Sequence, residues 1–308
     1  MLDTFVLFVA GLAALIFGSS EAVMRGMRLA RLTGISELAV GFILIAVGTS
    51  VPELAVSLFA SAAGETQIAM GTLAGANIYD MTLVLGVTAL FDTIILGRKD
   101  KSVVQTTALA LVIAAFALLT PTLGLAFGLF CIALSGFFVW NAYKQGYVIG
   151  NHVHGRLRFP EALKSGVMLI VAIALVLLGA NWTVGSAVAI ATAAGLPEIL
   201  ISGLVIAAGT TLPELSVSVQ AIRRRKPGLA IGNIAGSVVA NFGLVLGLAA
   251  IARPIPVMRL DVLWLAGVLA AGAIFLWLSG RRKIGRREGI GLIALWLALM
   301  GVFIAARM

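Results

Sequence analysis

The sequence predicts an all-α polytopic membrane protein: ten transmembrane helices in two inverted five-helix repeats, with broken helices in the second and seventh spans. Three observations predict it. Of 308 residues, 61% are hydrophobic and only 11% charged, whereas a soluble domain carries roughly 25% charged residues. Apolar runs of about 20 residues, the length that crosses a bilayer, recur from end to end. Two motif blocks then repeat at a fixed offset of 161 residues.

The spans fall near 4–24, 37–61, 68–91, 103–120, 122–143, 164–182, 196–221, 229–251, 260–279 and 289–306. The chain starts with Asp3 and no basic segment, so the first apolar run is read as a retained span and not a cleavable signal. Counting Lys and Arg in alternate loops places nineteen in one set and three in the other. The rich set includes Arg25, Arg98, Arg156, Arg223 and Arg281; the poor set is Arg253, Arg259 and Arg307. By the positive-inside rule the rich loops face the cytoplasm and both termini face outward. The expected division is 1–143 for the first repeat, 144–163 for a cytoplasmic connecting loop and 164–308 for the second, inverted repeat, in a plasma or inner membrane. The net charge of +9 is thus a topology signal, and no nucleic-acid partner is expected. The single cysteine, Cys131, allows neither an internal disulfide nor a thiolate metal site.

In the first block Ala46-Val-Gly-Thr-Ser-Val-Pro-Glu53-Leu-Ala-Val-Ser57 matches Ala207-Ala-Gly-Thr-Thr-Leu-Pro-Glu214-Leu-Ser-Val-Ser218. In the second, Gly71–Gly86 matches Gly232–Gly247, which aligns Asp80 with Asn241. The offset holds without a gap, so this is a duplication. Five spans per half is odd, so the second half enters the membrane from the opposite side. Inverted repeats of this kind are a transporter architecture, with the site at the repeat interface.

Chemistry concentrates in the matched blocks. Pro52 removes a backbone donor and pushes Val51 away from helical angles, and Gly48 adds freedom, so the second span should break near Thr49–Val51. Gly209, Leu212 and Pro213 repeat the pattern in the seventh span. Lipid cannot satisfy the carbonyls so freed, which must face protein or a water-filled cavity. Glu53, Glu214 and Asp80 each place a carboxylate mid-span at a cost of roughly 2.5–3.5 kcal/mol on insertion scales. Thr49, Ser50, Thr210, Thr211, Ser237 and Asn241 add hydroxyls and an amide. This hard-oxygen set suits Ca²⁺ or Na⁺, and the lack of nearby His and Cys argues against Zn²⁺ or Cu⁺.

Other polar features have plainer readings. Glu21 should pair with Arg25 one turn on, and Asn77, which faces Val238 in the alignment, should hydrogen-bond between helices. Gly71/Gly75 and Gly232/Gly236 should allow close helix packing. His152 and His154 should be solvated in the central loop.

Gly48-Thr-Ser-Val-Pro-Glu53 and Gly209-Thr-Thr-Leu-Pro-Glu214 resemble the two alpha-repeat signatures of the cation/Ca²⁺ exchanger superfamily, in particular the prokaryotic sodium/calcium exchangers. The resemblance implies a 5+5 fold whose broken helices cross at the centre. It implies direct Ca²⁺ coordination by Glu53 and Glu214. It further implies Na⁺ ligation by Ser50, Thr211, side chains of the third and eighth spans, and carbonyls of Ala46, Thr49, Ala207 and Thr210. Three departures stand out. Ala76 replaces the family's usual Ser, Asp80 stands where Asn is usual, and Asn241 where Asp is usual. The acid and the amide have traded places across the pseudo-two-fold axis.

The expected function is secondary antiport of Ca²⁺ against Na⁺ by alternating access, with no cofactor and one chain as the working unit. The alternative is a Ca²⁺/H⁺ or K⁺-dependent exchanger on the same fold. An intramembrane protease lacks a second mid-span aspartate, Asp261 lying at the edge of its span, or any His in a span. A passive channel shares helix breaks and acids, and is separated by flux coupling. An ATP-driven pump lacks a P-loop.

Overall fold

The computed structural model describes residues 2–33, 39–64, 66–95, 101–144, 159–193, 207–281 and 283–306. The central loop with His152 and His154, and residues 194–206 with the start of the expected seventh span, lie outside the described residues.

Helix α1, Leu2–Thr33, opens the chain. The second span is interrupted: a π-helical stretch Val40–Ile45 leads into α2, Ala46–Thr49, and the chain restarts as α3, Val51–Ala63. The third span joins α4, Thr66–Tyr79, through a π-helical stretch Asp80–Val84 to α5, Leu85–Phe91. Then come β1 (Ile94–Ile95), α6 (Lys101–Leu119), β2 (Thr122–Leu123) and α7 (Leu125–Lys144). The second half repeats this order. It runs α8 (Phe159–Ala193), α9 (Ala207–Thr210), α10 (Leu212–Arg223) and α11 (Pro227–Val239). A π-helical stretch Ala240–Val245 continues into α12 (Leu246–Ala252), followed by β3 (Ile255–Pro256), α13 (Arg259–Gly280), β4 (Lys283–Ile284) and α14 (Arg286–Ala305).

Among the described residues six helices are long and apolar enough to cross a membrane; the expected spans at 103–120 and 122–143 are the continuous helices α6 and α7, of 19 and 20 residues, and those at 37–61 and 196–221 are interrupted. The spans 4–24 and 164–182 are corrected in length: α1 covers 32 residues and α8 covers 35. Both continue past the apolar run into Arg-bearing or Ser/Thr-bearing sequence, where helix propensity outlasts hydrophobicity. Helices this long exceed the bilayer thickness and must tilt or project from it. They pack against each other as the most extensive helix pair of the molecule. Outward-facing Phe17 and Ile170, 62% and 69% exposed, belong to the lipid face.

The windows Ala69–Phe91 and Pro227–Ala252 are each 83% buried, against 22–44% for the other four. The third and eighth spans are therefore the centre of the bundle.

The repeat survives in fine detail. β1 pairs β4 through Ile94↔Ile284 and Ile95↔Lys283; β2 pairs β3 through Thr122↔Pro256 and Leu123↔Ile255. Shifting β1 forward by 161 residues and β4 back by 161 turns the first ladder into the second. β1 and β2 lie at opposite ends of α6, so the operation that relates the repeats exchanges the two ends of the bundle, as inversion requires. Close helix crossings obey the same rule. A Cβ on Gly86 would lie 2.9 Å from the Gly289 carbonyl oxygen, and one on its mate Gly247 would lie 3.0 Å from that of Gly128. At Gly71 and Gly75 the described residues offer no such close approach: none comes within 4 Å of a Cβ on Gly71, and the Trp264 ring lies 3.7 Å from one on Gly75.

Candidate ion-binding site

Each broken helix turns at a single residue. Ser50 has φ −82° and ψ 10°, and its mate Thr211 has φ −92° and ψ 1°. This is the expected position of the break. The chain is turned and not unwound, because Ser50 N–H still donates to Ala46 O and Leu54 N–H to Ser50 O, both at 3.0 Å. Pro52 and Pro213 sit in the first turn of α3 and α10, where the missing N–H is tolerated. Their cost falls on the carbonyls of Gly48 and Gly209, which lose the amide one turn ahead. Glu53 and Glu214 occupy the same first turns, where the positive end of the helix dipole favours an anion.

Ser50-x-x-Glu53 and Thr211-x-x-Glu214 have the spacing of a capping box. Neither hydroxyl caps its own helix. Ser50 Oγ instead donates across the repeat interface to Glu214 Oε1 at 3.4 Å, which also accepts from Ser237 Oγ at 3.4 Å. Thr49 and Ser50 both face Glu214, and Thr210 faces Glu53, so the break of each repeat serves the acid of the other.

The acid–amide pair of the central spans is placed by helix distortion. Asp80 opens the π-helical turn Asp80–Val84, and Asn241 is the second residue of Ala240–Val245. A π turn inserts an extra residue and redirects side chains, and such turns are frequent at functional sites. Both side chains are about 1% exposed.

Glu53, Asp80 and Glu214 are close enough to repel one another, and all three are buried. No donor bonds either oxygen of Glu53, either oxygen of Asp80, Glu214 Oε2 or Asn241 Oδ1 among the described residues. The ion pairs found among the described residues, Arg25–Glu21 at 2.9 Å and Arg28–Glu161 at 3.7 Å, lie elsewhere. The first is the expected helical pair. Buried, unpartnered carboxylates are costly unless a cation compensates them. Among the described residues no three acidic, histidine or cysteine side chains form a tight metal cage. A cation here would draw its remaining ligands from hydroxyls, the Asn241 amide and carbonyls, a mixture suited to hard cations. The Ala46 carbonyl already accepts from Ser50 N–H at 3.0 Å and from Thr49 Oγ1 at 3.2 Å, and one bond must yield for it to turn to an ion. Ala207 is the mate of Ala46 and begins α9.

The two half-sites differ. The Glu214 side carries Ser237; at the equivalent position on the Glu53 side stands Ala76, which has no hydroxyl. For Asn77 the described residues show a bond within its own helix: its Nδ2 donates to Leu73 O at 2.7 Å, and among the described residues its buried Oδ1 has no partner. Asn233 was absent from the expected set. Its Nδ2 donates to Glu214 O at 3.2 Å and to Ser218 Oγ at 3.0 Å. The signal for it lay in the repeat alignment, which sets Asn233 against Thr72, a polar residue at the same position of both matched helices.

The family model for the sodium/calcium exchanger protein matches residues 4–144 and 164–305. The chain belongs to the sodium/calcium exchanger family. Its relatives include the sodium/calcium exchanger MaX1 of Methanosarcina acetivorans, 28% identical with 97% of each chain covered. The putative antiporter CaxA of Alkalimonas amylolytica is 31% identical over 94% of this chain and 95% of its own. The inner membrane protein YrbG of Escherichia coli is 28% identical over 97% of both. Among solved structures, the sodium-calcium exchanger NCX_Mj superposes with a TM-score of 0.86 at 27% identity, covering 97% of this chain and 98% of that one. The protein is thus a multi-pass membrane protein of a family of cation/Ca²⁺ exchangers, which is not a family of enzymes.

Proposed function

We propose that this exchanger is a secondary active antiporter that moves Ca²⁺ against Na⁺ by alternating access. The observation that carries the reading is the convergence of three buried acids, Glu53, Asp80 and Glu214, on two symmetric helix breaks, with most of their oxygens unpartnered. Glu53 and Glu214 bind Ca²⁺ directly. Ser50, Thr211, Ser237, Asp80, Asn241 and the carbonyls of Ala46, Thr49, Ala207 and Thr210 complete the Ca²⁺ and Na⁺ positions. The sodium/calcium exchangers among the relatives and solved structures support both ions as substrates.

Coupling follows from electrostatics. One Ca²⁺ or several monovalent cations can compensate the acids, but not both at once. The compensated site can pass the low-dielectric part of the transition, and the empty site carries uncompensated charge that resists it. The acids therefore link the two fluxes without any covalent chemistry. The working unit is a single chain in the inner or plasma membrane, with the basic loops in the cytoplasm.

The Asp80/Asn241 exchange favours a second reading on the same site, Ca²⁺/H⁺ antiport, because it moves the third carboxylate, which has no donor among the described residues, to the first repeat beside Glu53. The shared part of both readings is tested by Ca²⁺ uptake into liposomes bearing Glu53→Gln or Glu214→Gln. Each substitution is expected to abolish gradient-driven uptake while the protein stays folded. Full activity in both variants would overturn the site.

A further inference from the structure

We infer that Asn233 is a positioning residue of the ion site, an amide latch that takes the Thr49 hydroxyl proton when a cation occupies the cavity. The inference rests on the reading of Glu53 and Glu214 as the ion-binding acids and adds a residue that does not itself touch the ion.

The amide is fully buried, and its orientation is set by chemistry. Nδ2 can only donate, and it faces two acceptors, Glu214 O at 3.2 Å and Ser218 Oγ at 3.0 Å. A flipped amide would set its carbonyl oxygen against the Glu214 carbonyl, oxygen to oxygen. Oδ1 is therefore held toward Thr49 Oγ1, 3.4 Å away.

Thr49 has one hydroxyl proton and three acceptors. Ala46 O lies at 3.2 Å, Asn233 Oδ1 at 3.4 Å, and the Glu214 carboxylate also faces the hydroxyl. Two of these three, Ala46 O and Glu214, are oxygens a cation would claim. A cation repels a proton pointed at it and attracts the hydroxyl lone pairs. With the cavity filled, Asn233 Oδ1 is the acceptor left for the Thr49 proton, and the bond costs the ion no ligand. The amide thus bridges the two repeats at their crossing: it is carried on α11, braced by α10, and receives from the break of the second span.

The device is one-sided. The residue equivalent to Asn233 in the first repeat is Thr72, whose side chain is shorter and carries a single hydroxyl, and the hydroxyl of Ser57, the mate of Ser218, has no partner among the described residues.

The test uses the full chain in liposomes and measures Ca²⁺ uptake against external Ca²⁺. Asn233→Leu is expected to raise the half-saturating Ca²⁺ concentration roughly three- to tenfold, the range of one hydrogen bond, with the maximal rate changed far less. Thr49→Val should produce a similar rise, and the double variant no more than the larger single one, because both remove the same bond. Asn233→Ala, which leaves space in place of a misfit, must show the same coupling if Asn233→Leu does not fold. Wild-type half-saturation in Asn233→Ala, or shifts that multiply fully in the double variant, would overturn the latch. Glu214→Gln runs in parallel: retained uptake there would sink the ion site itself, whereas lost uptake there with a normal Asn233→Ala would sink the latch alone.

Discussion

The crossing of α1 and α8 rests on glycine, and it predicts opposite outcomes for two identical substitutions on one helix. A Cβ on Gly179 would sit 2.6 Å from Leu15 N and 2.8 Å from the Gly11 carbonyl oxygen. Its mate Gly18 is equally tight, with Val176 N at 3.0 Å and Ala172 O at 3.1 Å. These neighbours are backbone atoms and cannot rotate away. Restoring an ordinary contact of 3.4 Å requires α1 and α8 to separate by about 0.8 Å at Gly179. Gly185, six residues along α8, has nothing within 4 Å among the described residues. Gly→Ala gains about 1 kcal/mol of helix propensity at either place, so the difference between the variants isolates packing. Overpacking costs about 1–3 kcal/mol, or roughly 2–6 °C of melting temperature for a chain of this size class. Thermal unfolding of the purified protein in one detergent should place Gly179→Ala below Gly185→Ala by that margin. Because α1 and α8 both border the broken helices, Gly179→Ala should also slow Ca²⁺ uptake. Equal melting temperatures for the two variants would refute the close crossing.

Two further outcomes are expected. Gly64 and Arg225 are repeat mates that end α3 and α10 with positive φ, 95° and 57°. Arg225→Gly should therefore stabilise and Gly64→Ala destabilise, each by about 1 kcal/mol, and the same sign for both in thermal unfolding would contradict the left-handed caps. Ala76→Ser restores the hydroxyl that Ser237 supplies on the other side; it should lower the Na⁺ concentration that half-inhibits Ca²⁺ uptake roughly three- to tenfold, and an unchanged Na⁺ dependence would mean that position 76 does not reach an ion.

The parts of this fold that were legible in the sequence are those with a local chemical cost. Pro52 and Pro213 forbid a helical amide, and the breaks are found at Ser50 and Thr211. Mid-span acids are costly in lipid, and Glu53, Asp80 and Glu214 do converge. What stayed hidden depends on partners far away in the chain. Ser50 and Glu53 have the spacing of a local capping bond, yet the hydroxyl crosses to Glu214, 164 residues on. Gly86 and Gly179 look no different in sequence from Gly71 or Gly185, which touch little or nothing among the described residues, because a crossing is a property of two helices. The π turns at Asp80 and Ala240 left no trace in a continuous apolar helix, where one inserted residue does not disturb hydrophobicity. Asn233 was aligned by the repeat but passed over, since its role shows only when Thr49 and Glu214 O are seen on either side of it.

The central claim is that the acids at the two breaks couple Ca²⁺ to Na⁺. The most direct measurement is Ca²⁺ uptake into liposomes loaded with Na⁺, beside a matched set carrying only a pH gradient. The account predicts uptake driven by the outward Na⁺ gradient and absent in Glu53→Gln. Uptake that follows only the proton gradient, or that persists with no opposing cation, would contradict it.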